Sequence, residues 1–321
     1  MDGILILDKP KGLTSNQALQ KVKRLFGAKK AGHTGALDPL ATGVLPLCFG
    51  QATKLSQYLL DANKSYRVTA HLGVTTDTGD AEGTVLESSE VSLVSESQWR
   101  QVVERFTGPQ QQFAPLYSAL KYQGKPLYYW ARKGVEVPRK SRQVVIDSLI
   151  LESYEHPFAT FQVACSKGTY IRSLVEDVGA FLGCGAHVAV LRRTQAGPYR
   201  LDQAVSLVDL LAQFADSAEK GPAERKSAGG FDLDRLVLPL SSALEGWIEI
   251  RLSETLSQSV LHGQSVLLDK DQIASKCVDV AGLLTQSEAP VLVKLSSDRM
   301  GLFAIGQILS DGRVAPKRLL V

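Results

Sequence analysis

Apolar and polar residues fall into regular patterns at a limited number of places along this chain, and those places divide it into elements. At Tyr66–Leu72 the alternation is clean. Tyr66, Val68, Ala70 and Leu72 share one face and Arg67, Thr69 and His71 the other, the period of a half-buried strand. Gly3–Leu7 is a short apolar run read as a buried strand, and Val144–Tyr154 and Ala159–Ser166 read as two more. Helical spacing appears at Ser15–Phe26, where Ala18, Val22 and Leu25 align, Thr14 or Ser15 can cap the start and Gly27 can stop it. Ala52–Leu60 also reads as helical. Ser95-Glu-Ser-Gln98 has the form of a capping box opening a helix to about Phe106. Further helices are predicted at Ile171–Leu182, with Leu174, Val175 and Val178 inward, and at Leu207–Phe214.

These strands and helices mix without a regular βαβ rhythm, which predicts an α+β domain built on a mixed sheet over about residues 1–214. Ala215–Asp232 is rich in Ala, Gly, Ser and charge and lacks aliphatic periodicity, so residues 215–240 are read as a linker. Beyond it, Trp247–Leu252, Ser265–Leu268, Val291–Leu295 and Leu302–Leu309 predict a small β-rich module over 241–321. A length of 321 residues accommodates both units. No internal repeat is visible.

Composition narrows the class. The 44% apolar and 21% charged content is that of a globular protein. No apolar stretch is long enough to span a bilayer, and the first residues lack the basic region and apolar length of a signal peptide. Cys48, Cys165, Cys184 and Cys277 form no Cys-x-x-Cys pair, so they read as reduced thiols of a cytoplasmic protein. The five histidines show no metal-ligand spacing, and phosphate-loop, dinucleotide, zinc-protease and serine-hydrolase signatures are absent. Chemistry without metal or cofactor is expected.

The net charge of +3 hides an asymmetry: residues 1–214 carry 24 basic and 19 acidic side chains, whereas 241–321 carry 8 and 9. A polyanion footprint is therefore expected mainly in the N-terminal part. Between Lys9 and Leu37 there are seven Lys or Arg and no acid, and the run ends at Asp38 within Gly32-His-Thr-Gly-Ala-Leu-Asp-Pro-Leu-Ala-Thr-Gly43. Pro39 turns Asp38 away from helical backbone, and the glycines allow close approach of a ligand. On spacing alone this is also an ordinary surface turn. Arg172 sits in the first turn of a predicted helix, where the macrodipole disfavours a cation. From the residues alone the default reading is a solvated surface arginine.

Residues 113–146 hold seven cations against one acid, Glu136, interleaved with six aromatic rings. Cations for phosphates and rings for bases suit single-stranded or loop RNA, although a helix with a basic solvated face has the same composition.

Gly32–Gly43, its continuation Val-Leu-Pro-Leu-Cys-Phe-Gly50, and Lys167-Gly-Thr-Tyr-Ile-Arg172 closely resemble the bacterial TruB family of tRNA pseudouridine synthases, as do Leu7-Asp-Lys-Pro10 and the stretch to Arg193. The resemblance implies a pseudouridine-synthase-like mixed-sheet catalytic domain and, more faintly through Val314–Val321, a PUA-like C-terminal RNA-binding domain. It implies isomerisation of uridine 55 in the T loop of tRNA, without cofactor, metal or a required protein partner. Asp38 matches the nucleophile, which attacks ribose C1′ or base C6 or acts through a glycal, and Arg172 matches the arginine paired with it. Tyr66 matches the tyrosine stacked on the target base, Tyr170 and Leu191 the lining of the uracil pocket, and His33 a histidine that fills space left by flipped bases. Lys9-Pro10 is implied to support the site, and 113–146 to be an insertion closing over the RNA. A guide-RNA-dependent synthase or a non-catalytic RNA chaperone would use similar surfaces. The wording of the loop is bacterial, and a chaperone would need neither Asp38 nor Arg172.

Overall fold

The computed structural model describes residues 1–219, 236–268 and 291–321. Most of the expected linker, and Cys277, lie outside the described residues. The chain opens with β1 (Gly3–Lys9), α1 (Ser15–Leu25), β2 (Ala31–His33), β3 (Thr42–Phe49), α2 (Ser56–Leu60) and β4 (Lys64–Leu72). A hairpin, β5 (Val74–Thr76) and β6 (Val85–Ser88), precedes α3 (Glu96–Phe106) and β7 (Gly108–Phe113). The cation-rich segment then forms a second small hairpin, β8 (Lys121–Tyr122) and β9 (Lys125–Pro126), followed by α4 (Leu127–Ala131). The chain rejoins the sheet with β10 (Ser141–Glu155) and β11 (Phe158–Cys165), and continues through α5 (Ile171–Phe181), β12 (Ala186–Ala196), β13 (Tyr199–Arg200), β14 (Val205–Ser206) and α6 (Leu207–Glu219). After β15 (Val237–Leu238), the C-terminal module holds β16 (Glu249–Arg251), α7 (Glu254–Leu261), β17 (Val266–Leu267), β18 (Leu292–Ser297), β19 (Gly301–Ile308) and β20 (Arg313–Leu319).

The sheet is mixed, in the order β14-β1-β3-β12-β4-β11-β10-β7, and the α+β expectation holds. Alternation along β1 and β3 sorts their side chains to two faces. Leu5, Leu7, Leu45, Leu47 and Phe49 join the main core beneath α1, α3 and α5. Ile4, Ile6, Val44 and Cys48 point the other way and pack on Ala243, Leu244, Ile305 and Leu320 of the C-terminal module. Burying one such aliphatic side chain contributes about 1.5–3 kcal/mol, against roughly 0–1 kcal/mol for an exposed ion pair. The surface Arg67–Glu152 pair therefore adds little beside the two cores. The C-terminal module is a five-stranded sheet, β16-β18-β19-β20-β17, with its own core around Val293, Leu295 and Phe303.

Local signals explain the helices that position the site. Thr14 and Gln17 form a reciprocal capping box on α1, Ser95 and Gln98 the same on α3, and Lys23 and Arg24 sit in the last turn of α1, where the macrodipole favours cations. Several boundaries differ from the sequence reading. The helix expected to end at Phe214 runs to Glu219, and Val237–Leu238, inside the stretch read as linker, pairs with Leu5 and Ile4. Helix α7 and strand β20 were not anticipated. Nor was β3, because Pro46 lies within it and cannot donate to a ladder. It fits because β12 flanks β3 at Thr42 and Gly43 while β2 flanks it at Leu47 to Phe49, so Pro46 sits where the neighbour changes.

Candidate active site

The Asp38 loop connects β2 to β3, and buried groups from several elements fix its backbone. Lys9, with no exposed surface, donates from Nζ to the carbonyls of Leu13 (2.6 Å), Pro10 (2.8 Å) and Pro39 (3.4 Å). Burial lowers its pKa to about 8, with Glu82 and Asp38 opposing that shift. The Ser15 hydroxyl accepts from Leu37 N at 2.7 Å, and Gly12 N donates to Pro39 O at 2.8 Å. Arg193, 1% exposed on β12, donates to Val44 O (2.7 Å) and Gly35 O (3.1 Å), tying both arms of the loop together. Gly43 is obligatory there: its φ is +102°, and a Cβ would come within 2.1 Å of Arg193 O. Lys9-Pro10, expected as support for the loop, has its lysine underneath it.

Arg172 projects from the first turn of α5, whose N-cap residue Tyr170 makes no side-chain capping bond. Its Nε is 3.0 Å from Asp38 Oδ2 and 3.9 Å from Asp80 Oδ2, while its two terminal nitrogens donate to Thr78 O (2.8 Å) and Tyr117 O (2.9 Å). The guanidinium is 5% exposed and the Asp38 side chain 41% exposed, so the arginine is a buried backing and the carboxylate faces outward. Two carboxylates and two carbonyls compensate the burial of this cation beside a positive helix end. Burial raises the pKa of Asp38, and Asp80 adds to the rise; Arg172 opposes it without reversing it.

The remaining candidates lie around this pair in different ways. Tyr66 faces Arg193 across the β4–β12 ladder, and burial pushes its phenol pKa up against the pull of the Arg193 charge. Leu191 is opposite Val68, in the same apolar cluster as Leu37, Leu40 and Tyr66. Tyr170 packs on the small cluster of Ala114, Leu127 and Val137, two residues from Arg172. His33 was read as a loop residue, but it ends β2 opposite Leu47, because the glycine-framed turn begins after it. Its Nδ1 is buried without a partner, and burial followed by Arg193 lowers its pKa, leaving the ring neutral at pH 7.

Asp80 was missed. It belongs to Thr76-Asp-Thr-Gly-Asp80, which reads as a turn and says nothing about a distant arginine. Its carboxylate accepts from the Thr78 hydroxyl at 2.7 Å and from Glu82 N at 3.1 Å, which fixes it behind Arg172. Gln112 and Tyr117 were missed for the same reason: they enter through backbone bonds that no motif marks. Among the described residues no cluster of three or more His, Cys, Asp or Glu is arranged to hold a metal ion.

Beside the site, Lys125 and Lys133 lie 5.7 and 4.7 Å from the centre of the Tyr129 ring, and Arg132 lies 5.6 Å from that of Tyr128. Part of the cation and aromatic mixture read from 113–146 is thus held as cation–ring contacts around α4.

A carboxylate backed by a buried arginine, in a mixed-sheet domain beside a basic aromatic segment, is an arrangement for chemistry on a polyanion. Solved structures give the fold: a Cbf5-Nop10-Gar1 complex matches with a TM-score of 0.72 and 26% identity over 99% of this chain and 85% of the other. An H/ACA RNP bound to a substrate RNA containing 2′-deoxyuridine matches at 0.67 and 23%, with 99% and 85% covered. Family models carry this further. TruB family pseudouridylate synthase (N terminal domain) matches residues 23–171, tRNA pseudouridylate synthase B C-terminal domain 172–245, and Pseudouridine synthase II TruB, C-terminal, 249–320. The chain belongs to the TruB family of pseudouridylate synthases. Among its curated relatives, tRNA pseudouridine synthase B of Pseudomonas paraeruginosa is 50% identical, covering 100% of this chain and 96% of the relative. The protein of the same name from Vibrio vulnificus is 45% identical with the same coverage.

Proposed function

We propose that this protein is a cytoplasmic tRNA pseudouridine synthase that isomerises uridine 55 of the T loop, with Asp38 as nucleophile. The observation that carries the reading is the 3.0 Å contact between Asp38 and Arg172, groups far apart in sequence that lie in stretches matched by two different TruB-family models. In the reaction the bond from uracil N1 to ribose C1′ breaks, the base turns, and a bond forms from C5 to C1′. N1 gains a proton and C5 loses one, so nothing is oxidised and no group is supplied. A positioned carboxylate is sufficient for such a step, provided it is ionised.

For the other residues we carry over the roles that the family resemblance implies. Arg172 holds the Asp38 carboxylate in place and stabilises its charge, and Asp80, Thr78 and Tyr117 hold Arg172. Tyr66 and Tyr170 offer ring faces to a flipped uracil, Leu191 an apolar wall, and His33 a neutral planar ring for the space that flipping opens. Lys125, Arg132 and Lys133 contact phosphates, and the C-terminal PUA-like domain adds RNA contacts. Neither a cofactor nor a protein partner is required in this reading.

Release of the C5 hydrogen from labelled uridine in a T-arm hairpin, with purified protein alone, tests the proposal. Stoichiometric release at the T-loop position is the expected result. Binding without release would indicate a non-catalytic chaperone, and release only with a guide RNA or added proteins would indicate a guide-dependent enzyme.

A further inference from the structure

Residues 113–141 enter and leave the sheet through β7 and β10, and the two residues at that root face each other. Gln112 and Arg142 are cross-strand partners. Gln112 is 1% exposed and uses both ends of its amide on one residue: its Oε1 accepts from Tyr170 N at 3.0 Å, and its Nε2 donates to Tyr170 O at 3.4 Å. It does for Tyr170 what a neighbouring strand would do, at the N-cap of a helix that lacks a side-chain cap. Arg142 holds the same residue from its side chain. The guanidinium carbon lies 5.0 Å from the centre of the Tyr170 ring, and Nη1 donates to Gly168 O at 3.3 Å. Gly168 has φ +79°, and a Cβ there would come within 2.9 Å of that nitrogen, so the arginine lies directly on the turn leading into the helix.

The next residues of α5 are tied to the same segment. The Ser173 hydroxyl donates to Phe113 O at 3.2 Å, and Arg172 donates to Tyr117 O at 2.9 Å. Tyr170, Arg172 and Ser173 are therefore all bonded to the inserted segment or its root, and Tyr170 also packs on the segment's small core. A buried amide spent entirely on one backbone, opposite an arginine spent on that residue's ring, is more than strand pairing requires. The paired strands already satisfy their own ladder.

We propose that Gln112 and Arg142 are positioning residues for the isomerisation, which set Tyr170 and, through it, the first turn carrying Arg172. This rests on the function proposed above. Because they act on the placement of groups around Asp38, their loss should slow the chemical step far more than it weakens RNA binding; small misplacements of reacting groups are costly.

The experiment is single-turnover isomerisation of a T-arm hairpin at saturating RNA, with affinity and its salt dependence measured alongside, for wild type, Gln112→Met, Arg142→Lys and Arg142→Ala. Gln112→Met keeps the buried volume but removes both amide bonds. A fall in the single-turnover rate of about tenfold or more is expected, with affinity within about twofold of wild type. Hydrogen exchange should show loss of protection at the Tyr170 amide. Arg142→Lys keeps a cation for any phosphate but loses the planar fork and the stack. It should retain the wild-type salt slope and still lose rate. The lysine variant also guards against an alanine variant that fails to fold. Wild-type rates in both Gln112→Met and Arg142→Lys would overturn the proposal. So would a loss in Arg142→Ala that Arg142→Lys fully restores together with the salt slope, which would make Arg142 a phosphate contact. An inactive wild-type protein would instead overturn the function on which the inference rests.

Discussion

Asp38 and Arg172 are ion-paired at 3.0 Å, yet the aspartate's pKa is raised above its ordinary value, because burial of the carboxyl outweighs the attraction of the arginine. Ionised Asp38 therefore costs stability in the folded state. The sign has two consequences. Activity requires the carboxylate, so the turnover rate should fall on the acid side with a midpoint above the ordinary aspartate value of about 3.9. Two effects on stability oppose each other: Asp38→Asn removes a charge that burial disfavours but also one of the two carboxylates facing the buried Arg172, so Tm at neutral pH should change little, and any difference should fade as the pH drops through the folded-state pKa. Turnover by the Asn variant should be abolished with RNA affinity nearly intact, and the same is expected of Asp38→Ala. Multiple turnover by either variant would remove Asp38 from the role of nucleophile.

Arg172 makes an ion pair and two carbonyl bonds from one buried fork. A lysine ammonium is a point charge and cannot serve all three directions from the same place. Arg172→Ala should lower turnover by roughly 10²-fold or more, the scale for losing a preorganised electrostatic group, and Arg172→Lys should recover only part of it. Steady-state kinetics on a T-arm hairpin checks this, and near-wild-type turnover in the alanine variant would refute the pairing as a catalytic requirement.

Gly43 supports a prediction about folding. Its φ of +102° is strained for any other residue, and the obstacle to a Cβ is the backbone of Arg193, which cannot step aside as a side chain would. Gly43→Ala should destabilise by on the order of 3 kcal/mol through strain and overpacking, and should disturb the loop that carries Asp38. Thermal unfolding measures the loss; an unchanged Tm would mean that β3 and β12 can separate at little cost.

How much of this was legible beforehand depends on whether a feature is local. The cap at Thr14 or Ser15, the capping box at Ser95, the alternation of Tyr66–Leu72 and the inward face of Leu174, Val175 and Val178 are written within a few residues, and the corresponding elements formed there. Strand β3 was hidden by Pro46, whose tolerance depends on which strand lies beside it. The pairing of Asp38 with Arg172 came from resemblance; spacing could not supply it. Asp80 and Gln112 left no trace because their roles consist of bonds to an arginine and a backbone that only the fold brings near. Lys9 could be placed as a support, but its complete burial could not, since a lysine in a basic stretch is ordinarily solvated.

His33 carries a buried ring nitrogen with no partner, on a ring kept neutral by burial and by Arg193. A neutral planar side chain of this kind suits stacking in a loop whose bases have been turned out. His33→Ala should therefore impair a stable, fully folded T arm more than a loop already opened or shortened. Comparing the two substrates at saturating concentration decides it. Equal losses would assign His33 to the chemistry or to folding of the Asp38 loop.

The segment 113–146 combines a very small core, Ala114, Leu127 and Val137, with cations stacked on exposed rings. This cluster, with Leu120, Tyr122, Trp130 and Tyr170 partly buried against it, is a small core beside so many cations, so the outer hairpin and α4 should open readily in the free protein and become ordered on RNA. Hydrogen exchange with and without tRNA should show weak protection of α4 that rises on binding. Neutralising Lys125, Arg132 and Lys133 together should weaken binding and flatten its salt dependence. If each contacts a phosphate, the logarithmic slope should fall by roughly 0.7 to 0.9 per residue. Turnover at saturating RNA should survive, because these three groups lie over the rings of Tyr128 and Tyr129, whereas the Asp38 carboxylate is paired with Arg172. That separates them from Gln112 and Arg142, which sit at the root of the same segment and should affect rate. Strong protection without RNA, together with an unchanged salt slope, would mean that the stacked cations are structural and that the RNA is held elsewhere.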